Sequence, residues 1–291
     1  MKKNNVTRKN IIFSNTSSVY SEAFQHIQVN LDFSFVDGQK KIIAITSALP
    51  SEGKSTILAN LAFIYAKKDF KVLLIDMDLR KPTIHRFFHE EKGLGISDYC
   101  TKQLKKEEII KHTDLGIDFI SSGTHAPFPG KILESNSLLE LIEEVKNDYD
   151  YILIDCPPSL GIIIDNALFA SDSILIPVEC EFYAYDALTQ MVNKINQIQK
   201  RKSDYNLTLT IEGVLLTKLD NRNIFGYKIV DKVRELFPKL TYKTIVYKSS
   251  HIQEAPMHGK TVLQYAYNSR GSKKYRDLAV ELINNNEKGE K

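Results

Sequence analysis

The sequence of 291 residues predicts an α/β fold: a doubly wound, mostly parallel sheet flanked by helices on both faces. Two observations predict it. Short, almost purely apolar runs recur along the chain, and segments with apolar residues three or four apart separate most of them. The runs lack the apolar/polar alternation of a sheet wetted on one face, so their strands should be covered on both sides. Composition agrees with such a core: 43% hydrophobic and 26% charged residues with a net charge of +3 exclude a disordered or low-complexity chain.

In chain order, the first forty residues, with the segment SEAFQHIQVNLDFSF, precede the first strand and read as an arm plus one helix. The expected strands are KIIAITS from Lys41, KVLLID from Lys71, IDFISS from Ile117, YILID from Tyr151, SILIPV from Ser173 and EGVLLT from Glu212. Helices are expected over Lys54 to Lys67, Ser137 to Lys146, Tyr185 to Gln199, Phe225 to Leu236 and Ser272 to Ile283. No repeat or Pro/Ser-rich linker interrupts this order, so residues 41–285 read as one domain and 286–291 as a polar tail. Cys100, Cys156 and Cys180 have neither paired spacing nor a nearby His ligand set, which argues against a disulfide framework or a zinc site. The basic amino end is followed by no apolar stretch of about seven residues, and no run of about 18 exists, so a cytoplasmic location is expected.

After the first strand comes Ala48-Leu49-Pro50-Ser51-Glu52-Gly53-Lys54-Ser55-Thr56, which fits the phosphate-loop pattern [AG]-x4-G-K-[ST]. A strand before it and a helix after it are what the mechanism requires. Backbone N–H groups wrap phosphates, the helix amino end adds a favourable dipole, and Lys54 reaches the β- and γ-phosphates of ATP, with Ser55 a ligand of Mg²⁺. Residues Pro50 to Thr56 are the candidate cofactor-binding loop. Two further runs end in acids: Leu73-Leu74-Ile75-Asp76-Met77-Asp78 and Ile152-Leu153-Ile154-Asp155. Acids there lie at the carboxyl edge of the sheet, where open α/β folds bind ligands, and Asp155 sits where a Walker B acid serves Mg²⁺. Asp76 and Asp78 share one side if strand geometry persists that far, so that one faces metal and the other a nucleophile. The candidate catalytic set is Lys54, Asp76, Asp78 and Asp155, with Ser55, Asp76 and Asp155 as Mg²⁺ ligands.

These residues resemble the bacterial protein-tyrosine kinases, relatives of the MinD/ParA ATPases. Lys41 to Thr56 is similar to their Walker A, LLIDMDLRKPTIHRFF from Leu73 to their Walker A′, and YILIDCPP from Tyr151 to their Walker B. From about Pro158 the resemblance changes: PPSLGIIIDNALFASDSILIPVECEFYAYDALTQMV, EGVLLTKLDNR and HIQEAPMHGKTVLQYAYNSRGSKKYRDLAVELI resemble the ParA/Soj partition ATPases. Departures go both ways. Leu49 stands where a partition loop carries a second lysine, and Leu79-Arg80-Lys81 follows the acid pair where it carries Pro-Gln. A kinase's Glu-x-x-Arg-x-x-Arg is here Glu22, Gln25 and Gln28, and the tail INNNEKGEK lacks a tyrosine cluster.

The kinase resemblance implies transfer of the ATP γ-phosphoryl to tyrosine in capsule or exopolysaccharide production, with a membrane adaptor holding the chain at the inner face of the membrane. Mg²⁺ would lie on Ser55 and Asp155, Asp76 or Asp78 would orient the acceptor, and Arg80 would hold the acceptor or the acid pair. The partition resemblance, kept as the alternative, implies ATP hydrolysis, a nucleotide-dependent homodimer, non-specific DNA binding and a centromere-binding partner. DNA contact needs a basic surface. Lys200, Arg201 and Lys202, and Arg270, Lys273, Lys274 and Arg276, are its candidates. The tail helix carries too few large apolar residues for a membrane anchor. His85 and His89 read as surface or packing residues, Cys156 as packing beside the site, and Phe24, Phe33 and Phe35 as core.

Overall fold

The computed structural model describes residues 41–102, 104–124, 136–158 and 161–288. The arm and helix expected within the first forty residues lie outside them. Eight strands, β1 (Lys41–Ile45), β2 (Val72–Asp76), β3 (Ile110–His112), β4 (Ile117–Ile120), β5 (Tyr151–Asp155), β6 (Ser173–Glu179), β7 (Thr210–Leu219) and β8 (Thr241–Tyr247), form one sheet in the order β3-β4-β2-β5-β1-β6-β7-β8. All neighbours are parallel except β3 and β4. The helices are α1 (Lys54–Ala66), α2 (Ile96–Lys102), α3 (Lys106–Ile109), α4 (Ser137–Val145), α5 (Ile162–Ala170), α6 (Phe182–Ser203), α7 (Ile224–Leu236), α8 (Ser250–Glu254), α9 (Val262–Tyr265) and α10 (Arg270–Lys288).

The uniformly apolar runs follow from two cores on one sheet. Ile42, Ala44, Leu73, Ile75, Ile152 and Ile154 pack with residues of α4, α5, α6 and α7. Their neighbours Ile43, Ile45, Val72, Leu74, Tyr151 and Leu153 turn to the other face, against α1, α10 and the 3-10 turn Ile84–Phe88. Every position is therefore buried, as the parallel arrangement demands.

Three elements escape the periodicity rules. Helix α5 is apolar nearly all round, with Ile163, Ile164, Ala167, Leu168 and Ala170 buried, so no polar stripe marks it as a helix. Strand β8 is an edge strand with one exposed lysine, Lys243, and β3 is only three residues long. The last helix, expected over Ser272 to Ile283, runs Arg270–Lys288.

Where β7 meets β8 the register shifts, and Gly213 admits Tyr242 against the backbone. A Cβ on Gly213 would stand 2.3 Å from the ring of Tyr242 and 2.9 Å from the Leu240 carbonyl. The ring has nowhere to go, being 1% exposed with its hydroxyl donating to the Glu212 carbonyl at 3.2 Å. Gly213→Ala is therefore expected to destabilise the fold by about 1–3 kcal/mol in urea unfolding, whereas a change below about 0.5 kcal/mol would mean the ring yields freely.

Candidate functional site

The turn from β1 into α1 is shaped by its own polar groups. Ser51 and Gly53 take positive φ, 63° and 100°, and Gly53 caps α1, its carbonyl accepting from Ile57 N at 2.8 Å. Glycine makes the second of these conformations free of strain. The Ser47 hydroxyl donates to the Leu49 carbonyl at 2.7 Å, and Leu49 N donates to Glu52 Oε2 at 2.9 Å. Among the described residues no side chain caps the amino end of α1. Its first N–H groups and dipole are thus open to an anion, and such an end attracts phosphate.

Lys54 is buried and its ammonium donates to Ser47 Oγ at 2.9 Å. Burial pushes its pKa down, while the charges of Asp155, Glu52 and Asp78 oppose that shift. The parallel register supplies the first of these: Asp155 ends β5 opposite Ile45 of β1 on one side and Asp76 of β2 on the other. Asp155 Oδ2 accepts the Ser55 hydroxyl at 2.5 Å, and Oδ1 is buried without a hydrogen-bond partner among the described residues. Desolvation, with a contribution from Asp78, raises the Asp155 pKa to about 7, against the Ser55 hydrogen bond and the Lys54 charge. A hydroxyl and a carboxylate in contact, with one oxygen still unsatisfied, are a hard-oxygen set that fits a small divalent cation such as Mg²⁺.

Asp76 lies beside this pair but is already occupied. Its Oδ1 accepts Asp78 N at 3.1 Å, and its Oδ2 accepts Thr83 N at 3.0 Å and Ile84 N at 3.2 Å. Burial and then the Asp155 charge hold its pKa well above the usual carboxylate range, against those three donors. These bonds also end the strand. By capturing Asp78 N, Asp76 turns the chain out of the ladder, so strand geometry does not persist to Asp78 as the one-side expectation requires. Asp78 is half-buried and forms its own turn, its Oδ1 accepting Arg80 N and Lys81 N at 3.2 and 2.9 Å.

Arg80 follows the acid pair on the chain. It is exposed, and its side chain makes no hydrogen bond or ion pair among the described residues, so it does not hold the acid pair. Pro50 and Ser51 are exposed on the loop and Thr56 is half-buried in the first turn of α1. Sequence reasoning missed Ser47, the partner of Lys54, and Glu179, whose N–H donates to Glu52 Oε1 at 2.9 Å. Glu179 ends the run SILIPVE, so the rule that found Asp155, an acid closing an apolar strand, could have found it too.

The two basic groups lie at opposite edges of the sheet. Lys200 and Arg201 end α6, at the edge where β1 begins, and Lys202 is buried with its ammonium donating to the Ser171 carbonyl at 2.5 Å. Arg270 and Lys273 are exposed at the start of α10, past the carboxyl end of β8, and Arg270 lies 4.0 Å over the Tyr247 ring. Arg276 stacks 4.4 Å over Tyr267. On that same edge Phe182 and Tyr183 open α6 and Phe225 opens α7, all exposed, with the Phe182 ring centroid 5.7 Å from that of Tyr183 and 6.3 Å from that of Phe225.

The raised Asp155 pKa sets a pH dependence in metal-free protein. Between about pH 4, the unfolded carboxylate value, and about pH 7 the folded state holds the extra proton, so stability falls as pH rises. Asp155→Asn is expected to flatten this decline and to exceed the wild type in stability near pH 8, by urea unfolding at about pH 5 and about pH 8 with chelator present. An unchanged slope would show Asp155 ionised throughout.

The fold and site have close relatives. Residues 40–211 match the AAA domain family AAA_31. The sporulation initiation inhibitor protein Soj of Bacillus subtilis (strain 168) is 38% identical over 261 residues, which cover 84% of this chain and 99% of Soj. The chromosome partitioning protein ParA of Myxococcus xanthus (strain DK1622) is 32% identical over 258 residues, 84% of this chain and 88% of that protein. The tyrosine-protein kinase YwqD of Bacillus subtilis (strain 168) is 39% identical over 156 residues, 53% of this chain and 66% of the kinase. The crystal structure of the cell division ATPase MinD of Pyrococcus furiosus superposes with a TM-score of 0.70 at 22% identity, covering 86% of this chain and 99% of MinD, and shows the same fold. The likeness to Soj covers 84% of this chain and so is not confined to the back half. By its phosphate loop, its sheet order and these matches, the chain belongs to the MinD/ParA family of P-loop ATPases.

Proposed function

We propose that this chain is an ATP-hydrolysing switch of the Soj/ParA type, which pairs with a second copy when ATP is bound and then attaches to DNA without base contacts. The observation that carries this reading is the extent of the likeness to Soj, 99% of that protein at 38% identity. The kinase reading, preferred on the motifs alone, draws on a match to only 53% of this chain. Neither a membrane adaptor nor exopolysaccharide production finds support among the relatives.

In this reading the backbone N–H groups of Ser51 to Ser55 and the amino end of α1 bind the phosphates, and Lys54 places its ammonium against them. Ser55 and Asp155 would hold Mg²⁺, which when bound supplies positive charge to the β- and γ-phosphates. Lys54 is already held by the Ser47 hydroxyl and by the field of Asp155, Glu52 and Asp78, so its charge is preorganised rather than recruited. Asp78, half-buried and close enough to act on Lys54, orients the attacking water. Asp76 is less suited, because three backbone N–H groups take its oxygens. Leu49 leaves the partner's nucleotide without a lysine from this loop, so the pairing relies on other residues of the same edge, among which Phe182, Tyr183 and Phe225 are exposed.

A kinase output remains the second reading, favoured by Leu49 and by the stretch Asp78-Leu79-Arg80-Lys81. One experiment separates the two. Wild-type protein with Mg²⁺ and ATP is expected to hydrolyse ATP and to be retained on DNA of arbitrary sequence, with retention falling steeply between about 50 and about 200 mM salt. Lys54→Met should lose both activities. Arg270→Ala and Lys273→Ala should weaken retention and reduce its salt dependence, since each removes a phosphate contact, whereas Lys202→Ala should leave retention unchanged because that amine is buried. ATP hydrolysis without DNA retention, accompanied by Lys54-dependent phosphotyrosine in mass spectra, would replace the switch by the kinase.

A further inference from the structure

Glu52 lies in the middle of the phosphate loop, yet its side chain is spent on the protein. It is 1% exposed. Its Oε2 accepts the N–H of Leu49, in the limb of the loop that leaves β1, and its Oε1 accepts the N–H of Glu179, the last residue of β6, both at 2.9 Å. The Glu52 carbonyl accepts the Thr217 hydroxyl of β7 at 3.0 Å. Glu179 in turn pairs with Lys218 at 3.0 Å, and Lys218 carries a positive φ of 53°. One residue thus joins the loop to the ends of two strands that contribute nothing else to its sequence.

We infer that Glu52 is a positioning residue, whose carboxylate holds the loop's N–H groups in their phosphate-binding arrangement without itself touching the nucleotide. The inference rests on the reading of this loop as an ATP site. Its chemistry requires a carboxylate. Two donors approach two different oxygens, and an ionised carboxylate offers acceptors on both, whereas an amide offers one acceptor and turns an NH₂ toward the other donor. Burial opposes the ionised form, and the two N–H bonds, the Ser47 hydroxyl and the Lys54 charge support it. Without the straps, a loop holding two residues at positive φ has to be gathered at the moment of binding, and that ordering is drawn from the affinity.

The test compares wild type, Glu52→Gln and Glu52→Ala for equilibrium binding of N-methylanthraniloyl-ATP with Mg²⁺ and for steady-state ATP hydrolysis, with thermal unfolding of each nucleotide-free protein as the check on folding. Glutamine keeps the volume and one strap, so its Kd and KM should rise about tenfold, and alanine, which loses both, should rise further. The turnover number at saturating ATP should change little, because the same loop is rebuilt once the phosphates are bound. Should the alanine variant fail to fold, the glutamine variant decides alone. Two results would overturn the inference: a folded variant with wild-type affinity, or a loss of turnover at unchanged KM, which would place the carboxylate on the reacting atoms. Wild-type protein that binds no nucleotide would remove the ATP reading and the inference with it, while wild-type binding matched by the variants would remove the inference alone.

Discussion

The ammonium of Lys54, buried at the head of α1, is the charge around which this edge of the molecule is arranged. A buried cation without compensation costs several kcal/mol, so the fold has to bring carboxylates to it. Asp155, Glu52 and Asp78 do this from three different segments of the chain. They can converge only because β1, β2 and β5 are parallel, which sends their carboxyl ends, and the loops that follow them, to the same edge. The register of β1 with β5 and of β5 with β2 is thus a condition for a stable lysine as well as for a ligand site.

The opposite problem arises among the acids. Asp76 and Asp155 occupy matched positions on neighbouring strands, and each is pushed toward its protonated form, mainly by burial. The two are resolved differently. Asp76 is quieted by three backbone N–H donors, which in the same act fold the chain after β2 into the turn that leads to the 3-10 segment. Asp155 has the Ser55 hydroxyl and one oxygen left over. The site therefore carries an unsatisfied acceptor on an acid that burial holds back from ionising, an arrangement that costs stability in the bare protein and favours a bound cation.

Much of this was legible in the sequence. Parallel strands buried on both faces leave near-continuous apolar runs, and an acid closing such a run stands out, which is why β1, β2, β5 and β6 and the acids Asp76 and Asp155 could be read directly. The loop could be read because its glycine and lysine are fixed in spacing by the geometry of phosphate binding. Helix α5 could not, since periodicity needs a polar face and this helix has almost none. Strand β8 was hidden by its place at the sheet edge, where one face is wetted and the pattern is mixed.

What the sequence determined by itself was the fold class, the loop and the acid positions, because these depend on local pattern and on the alternation imposed by burial. What only the tertiary structure decided was which of those groups is free to act. Asp76, Asp78 and Asp155 look alike along the chain, but backbone donors far from the strand pattern occupy the first, a local turn shapes the second, and the third alone meets Ser55. Arg80 looked like a holder of the acid pair and has its side chain exposed to solvent, and Lys202 looked like part of a basic surface and lies buried under Ser171. Glu52 looked like a loop residue facing phosphate and faces β6 instead. For Asp76, Asp78, Lys202 and Glu52 the deciding partner is a backbone amide or carbonyl, and backbone groups leave no mark on a residue pattern.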